Sequence, residues 1–260
     1  MSENFSYREY VTDEEFLRDY NAYQAKYAKE MRESDKVLVE RVRELLAEHS
    51  PAAGRPRLMD IGCSTGNLLL HLKRLLPDVE LTGGDLAEPS LAECRANPDL
   101  RGIEFKTLDI LELPAEAWYD IIVVNAVLYM MEDSQFDQAL KSLATALRPG
   151  GSVVIFDFFH PFEQDLSIME VSKTHPKGLR LRFRPMSLVI RMLNAAGFAN
   201  PRFRPFTLAI DLPRNPDDSE LITYTVTDAD GTRLPFRGTL FQPWCHLTAT
   251  KGKAPSTPAA

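Results

Sequence analysis

Residues 58–67 read Leu58-Met59-Asp60-Ile61-Gly62-Cys63-Ser64-Thr65-Gly66-Asn67, an apolar strand that runs into a tight turn with two glycines. Leucines at helical spacing follow at positions 68, 69, 72, 75 and 76, and this spacing predicts a helix with one apolar face. Because glycine has no Cβ, Gly62 and Gly66 allow the backbone to approach a ligand closely. The stretch therefore predicts a strand–turn–helix unit with a binding site at the turn.

A second strand, Leu81-Thr82-Gly83-Gly84-Asp85, ends on an acidic residue one strand–helix unit later. A carboxylate there can accept two charge-assisted hydrogen bonds from the hydroxyls of a ribose. Ligands of parallel α/β sheets bind in the crevice at the carboxyl ends of the strands. Any strand-to-helix turn can carry two glycines, but the two strand ends together indicate a nucleoside-type cofactor. The turn lacks the middle glycine of G-x-G-x-x-G, which disfavours a nicotinamide-dependent dehydrogenase.

Three further elements follow in order. They are Thr107-Leu108-Asp109-Ile110, then the β-branched strand from Tyr119 to Asn125 with its loop to Tyr129, then Leu147-Arg148-Pro149-Gly150-Gly151 before a fifth strand that ends at Asp157. With the two strand ends above, they make five elements over residues 56–160. This pattern resembles the class I S-adenosylmethionine (SAM)-dependent methyltransferases, with the departure that Ser64 stands where glycine is usual.

The resemblance implies SAM as cofactor and assigns several residues to it. Asp109 would contact the adenine amino group, Ile110 would pack on the ring, and the loop after Asn125 would lie under the methionine part. Amino-terminal helices of this family commonly close over the cofactor, so Tyr27 and Arg32 can reach its carboxylate, although a tyrosine stripe is also typical of core packing. The remaining cofactor residues that we predict are Asp60, Gly62, Cys63, Gly66, Asp85 and Leu86.

The alternation of strand and helix predicts an α/β fold with a doubly wound, mostly parallel seven-stranded sheet and flanking helices. Residues 1–50 are predicted to form a helical cap, in which Thr12 and Glu15 make a capping box. Residues 51–250 are predicted to form the SAM-binding domain, with an extra β-hairpin near the carboxyl terminus, at about 221–240, that turns at Asp230-Gly231. Residues 251–260 are predicted to be a disordered tail.

Composition excludes several classes of protein. The 260 residues carry a net charge of −7, which argues against nucleic acid as a general partner. No apolar run approaches the roughly 18 residues that span a bilayer, and no signal peptide is visible. The three scattered cysteines favour reduced thiols in a cytoplasmic protein and make neither a disulfide framework nor a zinc site. We predict no metal and no membrane partner; a homodimer stays open.

Candidate catalytic residues are few, because methyl transfer from a sulfonium mainly requires alignment. A general base helps when the acceptor is a hydroxyl. His160 stands just past the fifth strand and is predicted to be catalytic; the alternative is a loop histidine bonded to backbone. Tyr129 follows the fourth strand and is predicted to orient substrate or cofactor, or simply to pack. The loop Asn125-Ala126-Val127-Leu128 is not the Asn/Asp-Pro-Pro-Tyr motif of base and amide N-methylating relatives.

Residues 171–210 contain eight Lys or Arg residues and no Asp or Glu. Within them Arg180, Arg182 and Arg184 alternate with apolar residues and are predicted to bind an anionic substrate, unless they form an ordinary solvated strand face. We therefore predict SAM-dependent methyl transfer to a small molecule, with O-methylation of an anionic or polar metabolite. The alternatives are a non-catalytic SAM-binding regulatory subunit, and an RNA or N-methyltransferase that uses the basic segment 171–210.

Overall fold

The computed structural model describes residues 5–48 and 54–252; most of the predicted tail at 251–260 lies outside them. The amino-terminal part forms α1 (Tyr7–Val11), α2 (Glu14–Gln24) and α3 (Glu33–Glu48). The predicted capping box at Thr12 is wrong. Thr12 closes the last turn of α1, and the extended residue Asp13 caps α2, accepting a 2.9 Å hydrogen bond from the Phe16 amide.

Strands and helices alternate through the centre of the chain. The central elements are β1 (Arg57–Ile61), α4 (Asn67–Leu75), β2 (Glu80–Asp85), α5 (Glu88–Ala96), β3 (Glu104–Thr107), β4 (Tyr119–Asn125), α6 (Asp133–Ala146) and β5 (Leu147–His160). The elements after them are β6 (Leu166–Glu170), β7 (Leu179–Pro185), α7 (Met186–Ala195), β8 (Phe198–Pro205), β9 (Thr223–Thr227), β10 (Arg233–Arg237), β11 (Leu240–Phe241) and β12 (Trp244–Lys251).

Seven strands form the main path of the large sheet, in the order β3-β2-β1-β4-β5-β12-β8. The pairs from β3 to β5 are parallel, and β12 runs antiparallel to both β5 and β8. The predicted mostly parallel sheet is thus confirmed, and β6 and β7, which pair outside this path, bring it to nine strands. Because the strand order reverses between β1 and β4, a crevice opens at their carboxyl ends.

Alternating side chains of the sheet supply two separate cores. Met59, Ile122 and Ile155 point to the side covered by α6 and α7, whereas Leu58 and Ile121 point to the side covered by α3 and α4. Successive residues of a strand face opposite ways, so continuous apolar strands bury both faces. Each fully buried aliphatic side chain contributes about 1.5–3 kcal/mol, and the double core holds the strand ends around the crevice in place.

The chain after β5 forms two further strands before α7. β5 continues to His160 and pairs in parallel with β7 through Phe159 and His160, while β6 pairs with β7 antiparallel. The predicted hairpin near residues 221–240 is present as β9 and β10, joined at Asp230-Gly231 and extended by the short β11. These three strands form a sheet of their own. Among the described residues, no helix combines the length and apolar character that crossing a bilayer requires.

Candidate functional site

One cavity lies at the reversal of strand order, between the carboxyl ends of the central strands and helices α1 and α2. Its empty volume, counted together with the open space at its mouth, is about 800 Å³. The strand side is lined chiefly by Ile61, Gly62, Ser64, Asp85, Leu86 and Asn125. The helix side is lined by Tyr7, Tyr10, Val11, Phe16, Leu17 and Tyr20.

The glycine turn forms the floor of the cavity with a constrained backbone. Gly62 has a φ of +80°, and a Cβ added there would lie 2.4 Å from Cγ2 of Val127. Ser64 has a φ of +49°, a left-handed conformation that costs a non-glycine residue about 1–2 kcal/mol. The buried hydroxyls of Ser64 and Thr65 have no hydrogen-bond partner among the described residues. The turn therefore offers a close backbone approach and two unsatisfied hydroxyls.

Asp85 lies at the end of β2 and faces the cavity, where the sequence predicts it. Its two oxygens accept hydrogen bonds of 2.8 Å from the backbone amides of Ser64 and Ala87. Burial raises the pKa of this carboxyl, and the amides oppose the rise. Each carboxylate oxygen can accept more than one hydrogen bond, so Asp85 fixes the turn and can still accept from a ligand.

Two further buried carboxyls, those of Asp60 and Asp35, lie in the same region, and few hydrogen-bond donors or positive charges compensate their burial. Asp60 is buried at the end of β1, and burial, with the negative charges of Asp35 and Asp85, raises its pKa to about 8. Asp35 accepts a 3.0 Å hydrogen bond from Asn125 Nδ2, and burial raises its pKa although Arg32 opposes this. The sequence analysis missed Asp35; its signal was a carboxyl on the apolar stripe of α3. Three buried carboxyls favour a cationic ligand.

Asp109 and Ile110 are neighbours in the sequence but take different positions at this site. Ile110 lines the cavity. The Asp109 carboxylate accepts from the Tyr7 hydroxyl at 2.8 Å, from Arg8 Nε at 2.6 Å and from the Leu111 amide at 2.9 Å. Helix α1 is thus held down on Asp109 at the rim of the cavity. Contact of Asp109 with a ligand stays a prediction, and it requires Tyr7 to give up its hydrogen bond.

Tyr27 and Arg32 do not line the cavity. The Arg32 guanidinium lies 4.2 Å from the centre of the Tyr27 ring and donates a 2.7 Å hydrogen bond to Gln24. The Tyr27 hydroxyl is 3.1 Å from that of Tyr23. Both side chains therefore have partners within the helical cap, and the predicted contact with a ligand carboxylate stays a prediction.

Cys63 and Gly66 also lie behind the lining. The Cys63 side chain is buried in the apolar core beside Cys94. Gly66 has a φ of +75°, and a Cβ added there would meet Cδ1 of Leu100 at 2.8 Å. Both residues therefore pack the turn against the core. The sequence motif alone does not distinguish this role from contact with a ligand.

His160 is placed differently from the prediction. Because β5 continues through residue 160 and pairs with β7, the imidazole is buried in the sheet and does not line the cavity. Its Nε2 atom lies 3.3 Å from the Phe183 carbonyl oxygen. The structure thus favours the alternative of a histidine bonded to backbone over a catalytic base.

Tyr129 does line the cavity, together with the neighbouring Leu86 and Asn125. Its ring packs against Phe158 and Trp244, with centroid distances of 5.4 and 6.1 Å. Burial raises the pKa of the Tyr129 hydroxyl. Both predicted alternatives, orientation of a ligand and packing, are therefore compatible with its position.

The three arginines of β7 are paired with protein carboxylates. Arg180 lies 2.9 Å from Glu132, and Arg182 and Arg184 each lie 3.1 Å from Asp133. Arg184 is completely buried. None of the three lines the cavity. The alternative of a solvated strand face is wrong, because the three side chains are largely buried and the acidic start of α6 pairs with their guanidinium groups. Binding of an anionic substrate by these arginines stays a prediction.

The sequence analysis missed the aromatic wall of the cavity. Phe16, Tyr20, Tyr23 and Tyr27 recur at helical spacing, but only the first two line the cavity, stacked with ring centroids 5.3 Å apart. Tyr23 is exposed because α2 ends at Gln24. Tyr10 of α1 joins the wall. Within residues 5–48 and 54–252, no three His, Cys, Asp or Glu residues cluster as metal ligands.

This fold and this crevice define a Rossmann-like α/β domain that fits a nucleoside-type cofactor. Residues 58–151 match the family described as "Methyltransferase domain". The central part of the chain is therefore similar to methyltransferase domains, and the fold is that of the class I SAM-dependent methyltransferases.

Two curated relatives and one solved structure illustrate the similarity. A demethylmenaquinone methyltransferase of Thermus thermophilus is 34% identical over 108 residues, which are 40% of this chain and 48% of the relative. A malonyl-[acyl-carrier protein] O-methyltransferase of Bacillus cereus is 29% identical over 122 residues, 47% of this chain and 45% of the relative. The chain thus spans about half the length of these relatives.

The solved structure is a 1,6-didemethyltoxoflavin-N1-methyltransferase of Burkholderia thailandensis with bound 1,6-didemethyltoxoflavin and S-adenosylhomocysteine. It superposes with a TM-score of 0.57 at 18% identity and covers 97% of this chain and 93% of its own. The similarity at this identity concerns the fold, which extends over nearly the whole of both chains.

Proposed function

We propose that this protein binds SAM in the cavity and transfers the methyl group to a small-molecule acceptor. The observation that carries the proposal is the acidic crevice at the glycine turn. Asp35, Asp60 and Asp85 are three carboxyls whose pKa values burial raises, that of Asp60 to about 8, and the positively charged sulfonium and ammonium groups of SAM would stabilise their ionised forms. Buried charges require such compensation.

The residues present fit this cofactor. Val127 fills the space beside Gly62 and excludes a side chain there, which keeps the backbone of the turn exposed to the cavity, and the unsatisfied hydroxyl of Ser64 can donate to a ligand. Asp85 would hold the ribose, Ile110 would pack against the adenine, and Asn125 would face the methionine part. SAM supplies a methyl group on a good leaving group, so the protein mainly aligns the acceptor with it.

We further propose that the acceptor is polar and that oxygen is methylated. Of the described residues that line the cavity, only Asp85 carries a charged side chain. A lining without lysine, arginine or histidine favours an uncharged polar acceptor over the anionic one that the sequence also allowed. The paired arginines of β7 give no support to an RNA substrate. A cytoplasmic location and a homodimer stay predictions.

Calorimetric titration of SAM and S-adenosylhomocysteine into two glycine variants tests the proposal. Gly62→Ala places a Cβ 2.4 Å from Val127, and we expect it to weaken binding of both ligands at least about tenfold, roughly 1.4 kcal/mol. Gly231→Ala is the matched control, because Gly231 has the same φ of +80° and nothing within 4 Å of an added Cβ. If the folded wild-type protein binds neither ligand, the proposed function is wrong.

A further inference from the structure

A row of polar side chains leads away from the cavity wall that α1 forms. It begins at Tyr10, which lines the cavity and whose hydroxyl lies 2.8 Å from Nδ1 of His175. On the far side of the imidazole, Nε2 lies 4.0 Å from Oε1 of Glu170. The side chains of His175 and Glu170 are only 10% and 11% exposed, so both groups are largely shielded from bulk water.

Arg237 and Ser172 hold the end of this row. Arg237 donates two hydrogen bonds of 3.1 Å to the two oxygens of Glu170, and Ser172 Oγ donates another of 2.9 Å. Arg237 also donates to the carbonyl oxygen of Leu221 at 2.6 Å. Arg237 thereby links the small sheet of β9, β10 and β11 to Glu170. Through His175, Glu170 is in turn linked to Tyr10 at the cavity.

The surroundings of His175 select one tautomer. The Glu170 carboxylate favours the proton on Nε2, which leaves Nδ1 as the acceptor for the Tyr10 hydroxyl. Burial, reinforced by Arg237 and opposed by Glu170, lowers the pKa of His175. The imidazole is therefore neutral at pH 7 and can take a proton. The Tyr10 oxygen keeps a lone pair that can accept from a molecule in the cavity.

The walls beside Tyr10 are aromatic. Phe16 packs against Tyr10 with ring centroids 4.5 Å apart, and Tyr20 stacks on Phe16. Across the cavity, the Tyr129 hydroxyl makes no hydrogen bond to any described residue and is available to a ligand. A flat ring fits between such walls, since offset and edge contacts between aromatic rings are favourable.

We propose that Tyr10 and His175 act together as the general base of this site and that the acceptor is an aromatic hydroxyl. This proposal rests on the function proposed above. The acceptor O–H gives its proton to Tyr10 Oη while the Tyr10 proton passes to Nδ1 of His175. The acceptor oxygen forms the new O–CH3 bond, and the S–CH3 bond breaks with its electron pair going to sulfur. The positive charge ends on the imidazolium beside Glu170, which then releases its proton to solvent.

The test compares acceptors of different acidity. Phenol, whose pKa of about 10 matches that of a tyrosine side chain, needs a base, whereas 4-nitrophenol is ionised in water at mildly alkaline pH. We measure methylation of both by the wild-type protein, His175→Asn and Tyr10→Phe. Tyr23→Phe and Asp230→Asn are controls outside the cavity, because both side chains are exposed. Circular dichroism and the affinity for S-adenosylhomocysteine confirm that each variant is folded and binds cofactor.

A general base contributes about 10²–10⁴ in rate. We expect His175→Asn and Tyr10→Phe to lower kcat for phenol about a hundredfold or more and for 4-nitrophenol less than about tenfold, while the controls change neither. Equal losses on both acceptors would mean that the two residues only shape the site, and would overturn the proposal. If the wild-type protein binds SAM but methylates neither phenol, the proposal is wrong and cofactor binding stands. If SAM does not bind, the proposed function itself fails.

Discussion

Replacement of Asp60 by asparagine should make the stability of the protein depend less on pH, to the relative advantage of the variant at alkaline pH. The carboxyl is buried at the end of β1, and its pKa is raised to about 8 by burial and by Asp35 and Asp85. In the unfolded chain its pKa returns to about 3.9. The folded state therefore binds the proton more tightly, and the free energy of unfolding falls as the pH rises from about 4 to 8.

The magnitude follows from the pH interval. Each pH unit between the two pKa values costs about 1.4 kcal/mol, so the wild-type protein loses about 4 kcal/mol from this group between about pH 5 and pH 8. Asparagine does not titrate. The new amide requires hydrogen-bond partners, but that cost is the same at every pH and cancels when two pH values are compared. The stability difference between variant and wild type should therefore shift by about 4 kcal/mol in favour of the variant.

Urea unfolding followed by tryptophan fluorescence at about pH 5 and pH 9 measures this shift. Asp230→Asn is the control, because that side chain is exposed at the turn of the small sheet, and its stability difference should be the same at both pH values. The reasoning is refuted if the difference between Asp60→Asn and the wild type changes by less than about 1 kcal/mol over this interval.

Two further predictions concern the supports of the site. Arg184→Met should lower the free energy of unfolding by about 3 kcal/mol, because it leaves Asp133 and two backbone carbonyls without their buried donor. Thermal unfolding measures this loss of stability, and a loss under about 0.5 kcal/mol would contradict the prediction. Asp13→Ala should cost about 1 kcal/mol through the lost cap of α2, with Asp13→Asn as a capping control; equal losses in both variants would assign the effect to the contact with Lys177.

Much of the fold was predictable because its signals are local. Apolar strands, a leucine stripe and glycines at sharp turns act over a few residues, and the order of strands and helices restricts the sheet to few topologies. The positions of Gly62, Asp85 and Ile110 at the crevice follow from this, because the carboxyl ends of neighbouring parallel strands meet at one edge. The hairpin at Asp230-Gly231 was readable for the same reason.

The residues that the sequence misplaced depend on distant partners. The charges of Arg180, Arg182 and Arg184 look free along the chain, but folding brings the start of α6 against them. His160 looks like a loop residue until β7 pairs with the end of β5. Local patterns do not encode which surfaces meet, because burial and pairing depend on the packing of the whole sheet.

The chain by itself indicates a Rossmann-like methyltransferase domain with its glycine turn and acidic strand ends. Folding alone places Asp35 beside Asp60, and it brings Tyr10 to His175, 165 positions away. The periodicity of apolar residues predicts which side chains are buried. Which buried polar groups contact one another depends on long-range packing, which also removes water from around these groups. Local sequence thus predicts the crevice at the strand ends, whereas the contact of Tyr10 with His175 beside the cavity depends on tertiary packing.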